Sequence, residues 1–207
     1  MDIIEEPFGP VDQIWGIELI QTELQPGDPQ QLFIPTTNGV FFSVLTPEGS
    51  FMYCMEQYYD NTNVTNAVHI GGDELLLSLQ TDTENKLVIL NIETKEERVV
   101  IEPQNGTYIL DICKIPSLTT DEHPFFIMHT GKGIQLVSSA TQKAYDLAYN
   151  NQTNFNVCRS IQVIPLNGDD PEEGFWLVQI DNGGMVQTVK AYIFNENFMA
   201  GIKQLND

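Results

Sequence analysis

One feature constrains this chain more than any other: short apolar runs separated by turn residues recur in the same order four times. Residues 32–45 (LFIPTTNGVFFSVL), 76–91 (LLSLQTDTENKLVILN), 126–137 (FIMHTGKGIQLV) and 176–189 (WLVQIDNGGMVQTV) each read as strand, tight polar turn, strand. The turns carry Asn38-Gly39, Glu84-Asn85, Gly131-Lys-Gly133 and Asn182-Gly183-Gly184. Such residues tolerate the positive φ that two-residue and bulged hairpins demand. A further apolar run precedes each hairpin, at 14–20, 65–70, 108–115 and 157–164, and a fourth follows it, beginning near Ser50, Arg98, Lys143 and Phe198. No apolar stripe recurs three and four residues apart, so helical repeats are not expected.

Four antiparallel strands repeating about every 45–50 residues are the pattern of propeller blades. The fold class expected is therefore all-β, a β-propeller region of four four-stranded blades at about 14–60, 61–104, 105–150 and 151–207. Residues 1–13 form an N-terminal segment or a latch strand for the last blade. An open array of blades leaves apolar faces and strand edges in water. Closure is expected through a partner chain or second copy, through a compact four-bladed ring, or through further blades beyond this sequence. Residues 85–95 (NKLVILNIETK) are similar to the third-strand segment of a WD40 blade, with Leu90-Asn91 in the place of the Trp-Asp pair. The chain thus resembles a degenerate WD40-like propeller, and that resemblance implies a surface for protein binding.

Among 207 residues, 29 Asp and Glu oppose 9 Lys and Arg, for a formal charge of -20. Nucleic-acid affinity comes from Lys and Arg displacing condensed counterions, and anionic membrane surfaces attract the same residues, so neither partner is expected. Basic protein segments are. No run approaches the ~20 apolar residues of a membrane helix. The first residues, MDIIEEP, lack a basic and apolar leader. Cys54, Cys113 and Cys158 are odd in number and set in apolar runs, as suits reduced buried thiols. These readings favour an intracellular chain, in cytoplasm or nucleus. Three sequons, at Asn63, Asn105 and Asn151, are expected in loops and point instead to secretion.

No phosphate loop, zinc-protease motif, nucleophile elbow or Cys-x-x-Cys is present, and His69, His123 and His129 are expected in structural or solvated positions. No catalytic, cofactor or metal residue is assigned, and an enzyme is not expected. The alternatives are a propeller hydrolase or lyase with carboxylates at a central channel, and an extracellular recognition domain. Acidic residues fall where first-to-second strand connections should emerge: Asp28; Asp73 and Glu74; Asp121 and Glu122; Asp169, Asp170, Glu172 and Glu173. Third-to-fourth connections add Glu48, then Glu93, Glu96 and Glu97, then Glu196 on the same face. A basic segment of a protein partner is expected to dock there, while Tyr58 and Tyr59 are expected near the opposite face.

Overall fold

The computed structural model describes residues 13–19, 30–45, 52–103, 107–115, 124–131, 133–149, 158–168, 173–182 and 187–205. They form four antiparallel sheets of three or four strands. The first holds β1 (Glu18–Leu19), β2 (Gln30–Thr36), β3 (Gly39–Leu45) and β4 (Met52–Tyr58). The second holds β5 (Asn63–Gly71), β6 (Glu74–Gln80), β7 (Asn85–Asn91) and β8 (Glu97–Ile101). The third holds β9 (Ile109–Lys114), β10 (Phe125–Thr130), β11 (Gly133–Ser138) and β12 (Lys143–Tyr149). The fourth holds β13 (Cys158–Pro165), β14 (Gly174–Asn182) and β15 (Gln187–Asn195), followed by helix α1 (Glu196–Lys203). Every sheet is a meander whose spatial order follows the sequence.

The recurrence extends to the turns. Between β2 and β3 the Thr36 hydroxyl donates to the Gly39 carbonyl at 2.9 Å. Thr81 does the same to Glu84 at 3.1 Å between β6 and β7, and Thr130 to Gly133 at 3.3 Å between β10 and β11. The hydroxyl adds a side-chain bond across the turn, and at Glu84 the same carbonyl also accepts from Thr81 N at 2.8 Å. Gly39 has φ +98°, and a Cβ there would run into the carbonyl oxygens of Tyr58 and Tyr59. Glycine is required at that position.

Two compact units divide the chain between Arg98 and Val99, inside β8. In the first, the loop that leads into β5 is stitched to the β2–β3 turn. Gly39 N donates to Thr62 O at 2.6 Å, and Asn61 N to the Asn38 side chain at 2.8 Å. Trp15 Nε1 donates to Asn63 Oδ1 at 2.8 Å, and His69 N to Glu18 Oε1 at 2.9 Å. The starting strands of the first two sheets are thus held side by side. Phe33, Phe41, Leu75, Leu76, Leu77, Leu87 and Ile89 are among its fully buried side chains.

In the second unit β9 lies beside β13, and a core forms from Ile115, Phe125, Ile127, Ile134 and Leu136 against Ile161, Phe175 and Leu177. α1 closes that core with Met199 and Ile202. Phe175 stacks on Phe194 at 5.0 Å, and Phe198 lies 4.6 Å from Phe194, centroid to centroid. Alternation along β14 is strict: Phe175, Leu177 and Gln179 point into this core, while Trp176 and Ile180 are exposed. Register puts Ile164, Trp176 and Ile193 in one outward row across the three strands. Gln162, Val178 and Ala191 form the next row, and Ser160, Ile180 and Val189 the third.

The fourth sheet corrects the expectation of four-stranded blades throughout, because the run that follows its third strand is helical. Asn195 caps α1 by accepting from Asn197 N and Phe198 N, Glu196 sits in the first turn, and Met199 and Ile202 fall on one buried face. A capping side chain and an acidic first turn favour a helix start, and packing supplies the rest. β1 is also shorter than its apolar run, with only an isolated bridge, Ile14 to Thr36, before it. The latch segment 1–12 lies outside the described residues.

Candidate functional site

The described carboxylates gather most densely at one edge of the second sheet. β5 and β6 join through a two-residue turn, Gly72-Asp73, closed by the Gly71–Glu74 pair. Gly71 and Gly72 take φ +126° and +53°, which lets the chain reverse this tightly. β7 and β8 join on the same edge through residues 92–96. Asn91 builds that second turn, its Oδ1 accepting from Glu93 N at 3.0 Å and Thr94 N at 2.8 Å, with Lys95 at φ +64°. Ile92 N donates to Asp73 O at 2.7 Å and locks the two turns together.

Asp73, Glu74, Glu93, Glu96 and Glu97 are thereby brought to one edge with two cations, Lys95 and Arg98. Glu74, Asn91, Glu96, Glu97 and Arg98 surround an open cleft of about 390 Å³ floored by Ile89. Arg98 reaches Glu74 Oε2 at 3.3 Å, with both side chains partly exposed. Lys95 turns away from the cleft, donating to Glu56 Oε2 at 2.6 Å and to the Tyr58 hydroxyl at 2.5 Å. Its ammonium also lies 4.5 Å from the Tyr58 ring centroid. The Lys95 hydrogen bond holds the Glu56 carboxyl below its ordinary range, and Glu56 in turn raises Lys95. The Tyr59 hydroxyl donates to Glu97 Oε2 at 2.7 Å, and burial, then Glu97, push its ionisation upward. Asp73, Glu93 and Glu96 keep exposed carboxylates facing solvent.

Tyr58 and Tyr59 stand at the connection from β4 to β5, beside the β2–β3 turn, and yet their hydroxyls reach the β7–β8 turn. Each strand of a sheet is rotated by roughly 20–25° from its neighbour, so an outer strand is inclined steeply to an inner one. The end of β4 is thereby brought within reach of the β7–β8 turn. The acidic edge also carries two cations, Lys95 and Arg98. The segment Lys95-Glu96-Glu97-Arg98 contains both, one on each side of the paired glutamates.

Of the other predicted site residues, Glu173 is exposed ahead of β14 and its Oε1 accepts from Asn167 Nδ2 at 3.3 Å. Asp28, Glu48, Asp121, Glu122, Asp169, Asp170 and Glu172 lie outside the described residues. Glu196 occupies the first turn of α1 instead of a strand connection. Asn63 begins β5 instead of lying in a loop. Its amide donates to Gln80 Oε1 at 3.1 Å while its oxygen accepts from Trp15. Asn105 and Asn151 lie outside the described residues.

A second ionisable centre sits inside the other unit. Asp111 of β9 accepts from Ile161 N at 2.7 Å and from Ile112 N at 2.9 Å, tying β9 to β13. Burial raises its carboxyl to about 6, and the bonds from Ile161, Ile112 and Ser160 work against that rise. His129 lies opposite Asp111 in the ladder but is only 2% exposed, so no substrate reaches the pair in this arrangement. Cys113 is a free thiol, pushed upward by burial and by the charge of Asp111, which keeps it a poor nucleophile. Cys54 and Cys158 have side chains outside the description, as does His123. Among the described residues no three His, Cys, Asp or Glu side chains gather closely enough to hold a metal ion.

The chain matches no protein-family model and no curated protein. Residues alone therefore carry the functional reading.

Proposed function

We propose that this chain is a non-catalytic interaction subunit whose sheets are consecutive blades of a WD40-like propeller, and that its acidic edge docks a basic segment of a protein partner. The observation that carries this is the Asp73–Ile92 lock, which holds five carboxylates against two cations on one sheet edge. Turns fixed by backbone bonds present charge without paying to order it on binding, and complementary charge accelerates and selects encounter. Blade organisation is supported in each unit by the packing of sheets through their starting strands: β5 beside β1 and β2, and β13 beside β9. A cleft with an apolar floor and an acidic rim fits the stem and head of a Lys or Arg side chain.

The test is a pull-down from native extract at low and moderate salt. Asp73→Asn, Glu74→Gln, Glu93→Gln and Glu96→Gln combined should lose the retained partner. A control removing the same number of charges elsewhere, Asp60→Asn, Glu84→Gln, Glu102→Gln and Asp146→Asn, should keep it. Equal loss in both variants, or retention by both, would reject this edge as the docking site.

A further inference from the structure

Asparagine followed by glycine occurs four times, at positions 38, 105, 167 and 182, and two pairs, Asn38-Gly39 and Asn167-Gly168, lie wholly within the described residues. Such a pair modifies itself when its geometry allows. The glycine backbone nitrogen loses its proton and attacks the side-chain Cγ, forming an N–Cγ bond. The Cγ–Nδ2 bond then breaks, and the amide nitrogen takes up the proton and departs as ammonia. Water opens the resulting succinimide at either carbonyl, giving aspartate or isoaspartate. Glycine favours the step because no Cβ crowds its nitrogen and its backbone reaches the bent geometry of attack.

At Asn38 the fold holds both reacting atoms apart. Gly39 N donates to Thr62 O at 2.6 Å, so the attacking nitrogen is engaged. Asn38 Oδ1 accepts from Asn61 N at 2.8 Å, and the Asn38 carbonyl accepts from Gln57 Nε2 at 2.7 Å. Gly39 is buried, with the carbonyl oxygens of Tyr58 and Tyr59 crowding its α-carbon. Reaction there must wait for the turn to open.

Asn167-Gly168 stands in the connection from β13 to β14 under the opposite conditions. Gly168 is exposed, its φ lies outside the left-handed region, and open space surrounds the place of a Cβ. Asn167 Nδ2 donates to Glu173 Oε1 at 3.3 Å, a long contact at the surface.

We infer that Asn167 is a self-modification site, converted through the Gly168 succinimide to aspartate and isoaspartate in the folded protein, while Asn38 in the same dipeptide is protected. Conversion adds a carboxylate to a loop that already holds Asp169, Asp170, Glu172 and Glu173. As isoaspartate it also lengthens the backbone beside Leu166, whose N–H donates to Gly174 O at 3.0 Å where β14 begins. The site is separate from the acidic edge and does not depend on docking there.

The test incubates the full chain at mildly alkaline pH, folded in one sample and in urea above its unfolding midpoint in another. Peptic digestion at acid pH and fragment mass spectra then read, at each asparagine, the mass gained when NH2 is replaced by OH. In the folded sample Asn167 should convert and Asn38 should lag at least ~10-fold, the factor that an opening cost of about 1.4 kcal/mol supplies. In urea the two rates should converge. Gly168→Ala should slow conversion of folded Asn167 several-fold, because its methyl crowds the attacking nitrogen, with an unchanged urea midpoint because open space receives it. Equal rates at Asn38 and Asn167 in the folded chain, an Asn167 that converts in urea alone or not at all, or an unchanged rate in Gly168→Ala overturns the inference. Should that variant not fold, the folded and urea samples of the wild type still decide.

Discussion

At the scale of single residues, Gly39 and Asp111 are each tied to their surroundings, one by backbone conformation and the other by buried charge. Gly39 combines a positive φ with backbone carbonyls where a Cβ would stand. Gly39→Ala should therefore cost about 2 kcal/mol or more, read as a lower urea midpoint with an unchanged slope. Asp111 behaves differently, because its folded-state value of about 6 lies above its ordinary 3.8. Its contribution to stability is fully present below about pH 4 and is lost as pH rises through 6, since the unfolded chain ionises first. The change is on the order of 3 kcal/mol across that window. Urea midpoints between pH 4 and 7 should show this decline in the wild type and lose most of it in Asp111→Asn. Gly39 was legible in the sequence, since an Asn-Gly pair between apolar runs announces a hairpin turn. Asp111 was not. Nothing in the run Tyr108-Ile-Leu-Asp-Ile-Cys113 says that its one carboxylate will meet the backbone of a strand fifty residues away.

At the scale of elements, continuous apolar runs and punctuating turns carried the strands, their order and their grouping into meanders. The threonine hydroxyls at positions 36, 81 and 130 were a further signal, spaced 45 and 49 residues apart and each bonded three residues on. α1 went unread because its apolar positions are few and follow directly on a nine-residue strand, so an apolar run continues across the change of period. Asn195 marks the boundary. Asn195→Ala should destabilise the chain by about 1 kcal/mol through loss of the cap. Met199→Ala should cost about 2–5 kcal/mol, because that side chain is buried among Phe175, Leu177 and Ile202. Thermal or urea unfolding reads both, and a larger effect for the cap than for the core residue would mean that α1 is not held by packing. The acidic edge was half legible. Turn positions could be assigned from the repeat, but the convergence of two turns, and the capture of Lys95 by Glu56 and Tyr58 on another sheet, depend on twist and stacking.

At the scale of the whole molecule, the sequence's charge balance and its fourfold recurrence set the terms on which partners can approach. Carboxylates at turn edges attract cations over a distance of about one Debye length, whereas the neutral rows of the fourth sheet act only on contact. Salt should thus weaken binding of a basic partner at the acidic edge, read as a falling association constant between low and moderate ionic strength.

The chain has two tryptophans, Trp15 bonded to Asn63 in one compact unit and Trp176 in the other. Each unit therefore carries its own intrinsic fluorophore. Replacing either indole by phenylalanine leaves an optical reporter for a single unit, so emission followed through a denaturant titration would reveal whether the halves melt together or in succession.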